Sequence, residues 1–240
     1  MLTPNRSTNP ASALARNADA SAEFAHKLAQ TRAALVQAAR EFSPVTQASS
    51  LGAEDVVITH LINALKLDIP IFVLETGALH SETLALLERT QAHSRAPVRV
   101  FRPDQAAVIA FVRNEGQDAI FKSQALRKAC CDIRKMEPLG RALQGQRAWI
   151  TGLRREQSNA RAEVPLLDAS NPTLAKYNPL ADWTWGDVWH YIAEHRVDYN
   201  PLHDQFSHGA DAFRMLGLVV NEPRKRVSKP NLLAPQNWMA

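Results

Sequence analysis

Cysteine is nearly absent from these 240 residues: there are two, Cys130 and Cys131, and they are neighbours. Adjacent cysteines bond to each other poorly, because the small ring strains the intervening peptide. A disulfide-stapled scaffold is therefore excluded, and thiol usage fits a reducing cytoplasm. No run approaches the ~20 apolar residues of a membrane span, and the Ala-, Asn- and Ser-rich first 23 residues hold no signal-peptide core. They are expected to be disordered. Charge of one sign is also scarce: a net charge of +4 with interspersed signs gives no nucleic-acid footprint. A small anion is the better partner. With 45% hydrophobic residues, the length suits one well-buried domain.

The pattern that is present alternates helices and strands. Phe24, Leu28, Leu35 and Ala38 recur at helical spacing over residues 24–42, and Pro44 ends that helix. Residues 45–50 read as a strand, Leu51-Gly52 as a tight loop, and Ala53-Glu54-Asp55 as the acidic first turn of the next helix. Ile71-Phe72-Val73-Leu74 is a continuous apolar run of the kind buried on both faces of a parallel sheet. A helix over 81–90, a strand over 98–101, a helical region over 105–145 and a strand near 147–152 follow. The fold class is therefore α/β, a Rossmann-like parallel sheet sandwiched by helices. Further on, Thr184 or Asp182 can cap a helix running to about His195, with Trp185 and Trp189 on one face as core residues.

Ligands of such sheets bind beyond the carboxyl ends of the strands. Ser50 and Gly52 precede a helix N-terminus, where a hydroxyl and free amides suit a phosphate or sulfate. Gly77 and Gly152 either permit turns or let the backbone approach a flat base. Arg154 and Arg155 follow a strand and either grip anion oxygens or pair with Glu156. Cys130 and Cys131, flanked by Arg127, Lys128, Arg134 and Lys135, are expected to be more acidic than a free thiol and suited to iron or zinc. The alternative is two buried small residues on a helix. His60, His80 and His203 are isolated and are assigned to no metal.

Six blocks in order carry a family likeness: Ser50-Leu51-Gly52-Ala53-Glu54-Asp55, Leu74-Glu75-Thr76-Gly77-Ala78-Leu79-His80, the stretch Cys130-Cys131-Asp132-Ile133-Arg134-Lys135-Met136-Glu137-Pro138-Leu139, Thr151-Gly152-Leu153-Arg154-Arg155-Glu156-Gln157-Ser158, Tyr177-Asn178-Pro179-Leu180-Ala181-Asp182-Trp183-Thr184-Trp185, and Tyr199-Asn200-Pro201-Leu202-His203-Asp204. Over roughly residues 24–205 the chain resembles the assimilatory sulfonucleotide (APS/PAPS) reductases, closest to the iron-sulfur APS reductases. The resemblance implies an adenine-nucleotide alpha-hydrolase (PP-loop) fold in the cytoplasm. The implied reaction is reduction of adenosine 5'-phosphosulfate (APS) to sulfite and AMP with thioredoxin, in sulfate assimilation and cysteine biosynthesis. It also implies a 4Fe-4S cluster on Cys130 and Cys131, and a substrate site of Ser50, Gly52, Thr76, Gly77, Lys135, Gly152, Leu153, Arg154 and Arg155. A homo-oligomer is compatible with it; nucleic acid and membrane are not expected partners.

The pattern departs at Phe206. The family continues with a second cysteine pair and a C-terminal nucleophilic cysteine, whereas no cysteine follows Cys131 here. The expected organisation is a disordered segment 1–23, a sulfonucleotide-binding reductase domain 24–205, and an atypical basic tail 206–240 replacing the catalytic C-terminus. So abrupt a switch points to a reading-frame change or a gene rearrangement. No catalytic residue is assigned, the cluster is expected to be incomplete or absent, and the chain as written is expected not to reduce APS. The alternatives are a PAPS reductase, a non-catalytic adenine-nucleotide-binding protein and an ATP-using relative. The last would favour a Ser-Gly-Gly-Lys-Asp-Ser type loop, which this sequence does not offer.

Overall fold

The computed structural model describes residues 12–158 and 161–205. Six strands form one sheet in the order β3-β2-β1-β4-β6-β5: β1 Val45–Ser49, β2 Ile71–Leu74, β3 Val98–Phe101, β4 Ala148–Ile150, β5 Leu167–Asp168 and β6 Ala175–Tyr177. All pairings are parallel except β5 with β6. The parallel sheet expected from the alternation is present, with an antiparallel edge strand added. The two short strands β5 and β6 carry no apolar run that would announce them.

The chain leaves β1 for β2 and β3 on one side, then crosses to β4 on the other. Strand order reverses beside β1, and that reversal opens a crevice at the carboxyl ends. Strand β1 is buried throughout although its sequence is Val-Thr-Gln-Ala-Ser. Its polar groups are satisfied: Gln47 donates to the Asp55 carbonyl at 2.9 Å and accepts from Thr59 at 3.0 Å, and Thr46 donates to the Pro70 carbonyl at 2.9 Å.

Side chains alternate across the sheet and build two cores. Val45, Ile71, Val73, Ile150 and Tyr177 pack under the helices α2 Phe24–Glu41, α3 Ala53–Ala64, α4 Ser81–His93 and α9 Trp185–His195. Ala48, Phe72 and Trp149 point to the opposite face, where they meet Leu139, Ala142 and Leu143 of α8 Glu137–Leu143. In α9 the expected cap is Thr184, which accepts from the Asp187 amide. Of the two tryptophans expected in the core, Trp189 is fully buried and Trp185 packs on it only partly buried; Trp183 is fully buried as well.

One expectation needs correction. The segment 12–23 is not disordered: α1 Ala13–Asn17 packs on α9, the Ala13 amide donates to Asp204 at 2.8 Å, and the Ser21 amide donates to Asp187 at 2.7 Å. The buried carboxylate of Asp187 and the half-buried one of Asp204, invisible as partners in the sequence, supply its anchors. Residues 1–11 and the tail 206–240 lie outside the described residues. The helical region expected over 105–145 is present, in several pieces. It divides into α5 Gln105–Glu115, α6 Ala119–Lys122, α7 Gln124–Cys131, a π-helical segment Asp132–Met136, and α8. Pro138 has no N–H to return to the carbonyl of Arg134, and the coil widens just before it.

Candidate functional site

At the strand ends of β1 and β2 lies a pocket with apolar walls from Phe72, Leu74, Leu79, Leu139 and Trp149. Ser49, Ser50, Thr76 and Lys135 put polar groups into it. Three of the expected site residues, Ser50, Thr76 and Lys135, therefore converge. Each arrives on a different element: Ser50 on the β1–α3 loop, Thr76 after β2, and Lys135 on the π-helical segment.

The π-helical segment works as a bracket. Arg134 donates to the Thr76 carbonyl at 2.7 Å and lies against Gly77, whose φ of 77° is a conformation glycine tolerates best. The next residue, Lys135, turns into the pocket with 5% of its surface exposed. Burial lowers the Lys135 pKa, opposed by the nearby Cys131 and Asp55. Among the described residues no carboxylate lies within ion-pair distance of its ammonium. The buried Thr76 hydroxyl likewise has no hydrogen-bond partner there. A buried cation and a buried hydroxyl, both unpaired and lining one pocket, are arranged to receive an anion.

The Ser50 loop is held from below. Leu51 is buried with φ at 62°, an unusual conformation for a leucine, and Gly52 starts α3 with no side-chain cap. Asp55, in the first turn of α3, accepts from both the Ser50 amide and the Ser50 hydroxyl, each at 2.6 Å. The nearby Gly152 amide also acts to lower its pKa. A Cβ on Gly152 would fall 2.6 Å from Asp55 Oδ1 and 2.7 Å from Glu54 Cβ, so no larger residue fits this approach. Gly152 thus locks the β4 loop to α3. Burial pushes the Asp55 carboxyl up to about 6, against the hydrogen bonds from Ser50. Asp55 was missed as a site residue, although it closes the first of the six blocks and stands third in an acidic helical turn.

Arg154 and Arg155 are not pocket-lining residues. Arg154 pairs with Glu54 at 2.9 Å and Glu156 at 2.7 Å, donates to the Trp183 carbonyl, and lies 5.2 Å from the Trp185 ring centre. The Glu156 pairing considered from the sequence is present. Arg155 pairs with Asp182 and donates to the Val164 carbonyl at 2.8 Å. Leu153 is buried beside them.

Cys130 and Cys131 end α7, both buried and both free. The expectation of acidic thiols fails for Cys131: burial pushes it up to about 11, more than Lys135 nearby can offset. Two adjacent thiols do not make the four-ligand set of a 4Fe-4S cluster, and no three of His, Cys, Asp or Glu gather into a metal-binding group among the described residues. The donor set does not fit that cluster.

The sequence and fold agree with known proteins. Residues 44–221 match the phosphoadenosine phosphosulfate reductase domain, and the chain belongs to that family of oxidoreductases. The match runs past Gln205. An adenosine 5'-phosphosulfate reductase of Allochromatium vinosum is 49% identical over 173 residues, 71% of this chain and 67% of that protein. Its counterpart in Burkholderia cepacia is 46% identical over 182 residues, covering 75% and 73%. The chain thus spans about two thirds to three quarters of these relatives. In fold it resembles a phosphoadenylyl-sulfate reductase of Candida auris, solved as a phosphate complex, with a TM-score of 0.63 at 24% identity over 78% of this chain and 93% of that one.

Proposed function

We propose that the pocket binds a sulfonucleotide, with APS as the preferred substrate, and that the chain serves APS reduction to sulfite and AMP. One observation carries this: Lys135 and Thr76 are buried, unpaired and face the same strand-end pocket. The sulfate and phosphate oxygens lie toward Lys135, Thr76 and Ser50, and the adenine against the apolar wall that includes Trp149. Gly77 and Gly152 shape the flanking loops. Arg154 and Arg155 support the site through Glu54 and Asp182 rather than by direct contact. Family resemblance supports thioredoxin as the electron donor and a cytoplasmic setting. Among the described residues no helix is long and apolar enough to cross a membrane.

The reductive step needs a thiol that can attack sulfur and then be attacked in turn. Cys130 and Cys131 lie in the buried framework, and Cys131 holds its proton. This favours a second reading for the 240 residues as written: sulfonucleotide binding without turnover. An anaerobic titration comparing APS, PAPS, AMP and adenosine, run beside a thioredoxin-coupled sulfite assay, tests both. Tight APS binding without sulfite is expected. Sulfite release by this chain would show that Cys130 or Cys131 attacks; absence of APS binding would remove the site.

A further inference from the structure

We propose that Asp55 is a positioning residue that competes with the substrate anion for the donors of Ser50, so that sulfonucleotide binding draws a proton onto Asp55. The inference rests on the sulfonucleotide reading of the pocket and adds what regulates its affinity.

The geometry is specific. Ser50 has two donors that could serve an anion, its amide and its hydroxyl, and Asp55 Oδ2 takes both at 2.6 Å. Asp55 itself is buried, with 6% of its surface exposed, so solvent does not compete for it. Thr76 differs: the residue lines the same pocket and its buried hydroxyl is unpartnered. The carboxylate therefore stands in for an anion at Ser50 but not at Thr76. For Ser50 to donate to a bound phosphosulfate, Asp55 must release it. A protonated carboxyl does so readily: it gives its own O–H to the Ser50 oxygen, which turns the serine proton toward the ligand. The proton comes from solvent, and no other bond changes.

The surrounding charges set the cost. Glu54 lies beside Asp55 on α3, Lys135 faces it from the π-helical segment, and the Gly152 amide reaches it from the β4 loop. One step further, Arg154 pairs with Glu54, while Cys131 and Arg161 act on Lys135. An incoming dianion next to a charged Asp55 adds repulsion, and protonation relieves it. Burial already holds the Asp55 carboxyl at about 6, so the proton is available near neutral pH.

The test is calorimetric titration of the full chain with APS, whose phosphosulfate charge does not change between pH 6 and 8, and with adenosine as the uncharged control. If only protonated Asp55 admits the anion, APS affinity falls by up to roughly fifty-fold from pH 6 to pH 8, while adenosine binding stays flat. Lys135 titrates in the same direction, so the variant decides. In Asp55→Asn the slope shrinks to the Lys135 part, and proton uptake, read from heats in two buffers of different ionisation enthalpy, falls with it. If Asp55→Asn does not fold, Ser50→Ala removes one contested donor and should take up fewer protons than the unaltered chain. Equal slopes and equal uptake in the parent and the variant that folds would overturn the inference while leaving the site intact. Failure of both APS and adenosine to bind at any pH would remove the site and the inference together.

Discussion

Helices α3 and α9 each carry a buried aspartate at the third position of the first turn, and the two behave in opposite ways. In α9, Asp187 completes a capping box with Thr184, accepts from the Ser21 amide and hydroxyl, and pairs with Lys27 at 3.0 Å. Burial pushes its carboxyl up, but those donors outweigh burial and bring it down to about 2. In α3, the cap is Gly52 without a side chain, and Asp55 reaches past it to Ser50 with no cation in bonding contact. Burial wins there. The same residue in the same helical position is a fastener at one end of the molecule and a displaceable partner at the other. The amides of Thr184 and Ser21 lead the lowering at Asp187, with Lys27 and the Ser21 hydroxyl behind them; near Asp55 the cation without an ion pair is Lys135, left free to meet a ligand.

The largest effect should come from breaking the fastener. Asp187→Ala takes the carboxylate from Lys27, from the Ser21 amide and hydroxyl and from the Thr184 amide, and frees the segment that carries Ser21, so urea denaturation should show a loss of about 3 to 5 kcal/mol. A loss below 1 kcal/mol would mean that α1 and α2 hold that corner without it.

Lys135→Met sharpens the contrast from the ligand side. A buried ammonium without an ion pair costs folding free energy, so the variant should be at least as stable as the parent in the same denaturation experiment. Its APS affinity should fall by about 1.5 to 3 kcal/mol, the worth of a charge-assisted contact, with adenosine unchanged. Equal losses for APS and adenosine would place Lys135 in the framework instead.

The third effect is a pH dependence with a definite sign. A carboxyl raised to about 6 from 3.8 binds its proton more tightly when folded. Its contribution therefore favours folding at low pH and is lost as pH rises between those values. His203, held neutral by burial down to about 4, titrates oppositely in the same window, so the parent curve alone mixes the two. Subtracting Asp55→Asn isolates the carboxyl. The stability of the variant relative to the parent should rise by on the order of 2 kcal/mol between pH 4 and pH 7 and then level off. A flat difference would show that Asp55 is not buried as an anion.

Much of this was legible in the sequence because it depends on local pattern. The strands at Ile71–Leu74 and Val98–Phe101 and the Thr184 cap follow from apolar runs and turn chemistry, and Ser50 stands out on a strand-end loop; Thr76 and Lys135, which converge with it, entered through the family resemblance. What was not legible depends on partners distant in the chain. Arg154 looked like an anion fork because Glu54, 100 residues earlier, could not be seen beneath it. Cys131 looked acidic from its basic neighbours in sequence, yet burial decided its proton. The π-helical segment escaped notice because an apolar period does not distinguish a widened turn from a regular one, although that turn aims Arg134 and Lys135 at their targets.

The smallest effect concerns the caps themselves. Thr184→Ala removes the side-chain acceptor for the Asp187 amide and should cost about 1 kcal/mol in denaturation, with no change in APS binding. At α3 the matched change is Gly52→Ala. Gly52 has φ −72° and ψ 172°, which alanine adopts without strain, so only alanine's poorer capping counts and stability should fall by about 0.5 to 1 kcal/mol. The new Cβ, however, would sit 3.3 Å from the Ser50 hydroxyl oxygen, tighter than most such contacts, and would displace the donor that Asp55 and the anion share. APS affinity should therefore fall while adenosine affinity holds. Should both caps respond alike, with stability lost and binding unchanged, α3 would be a second fastener and the distinction between the two helical turns would fail.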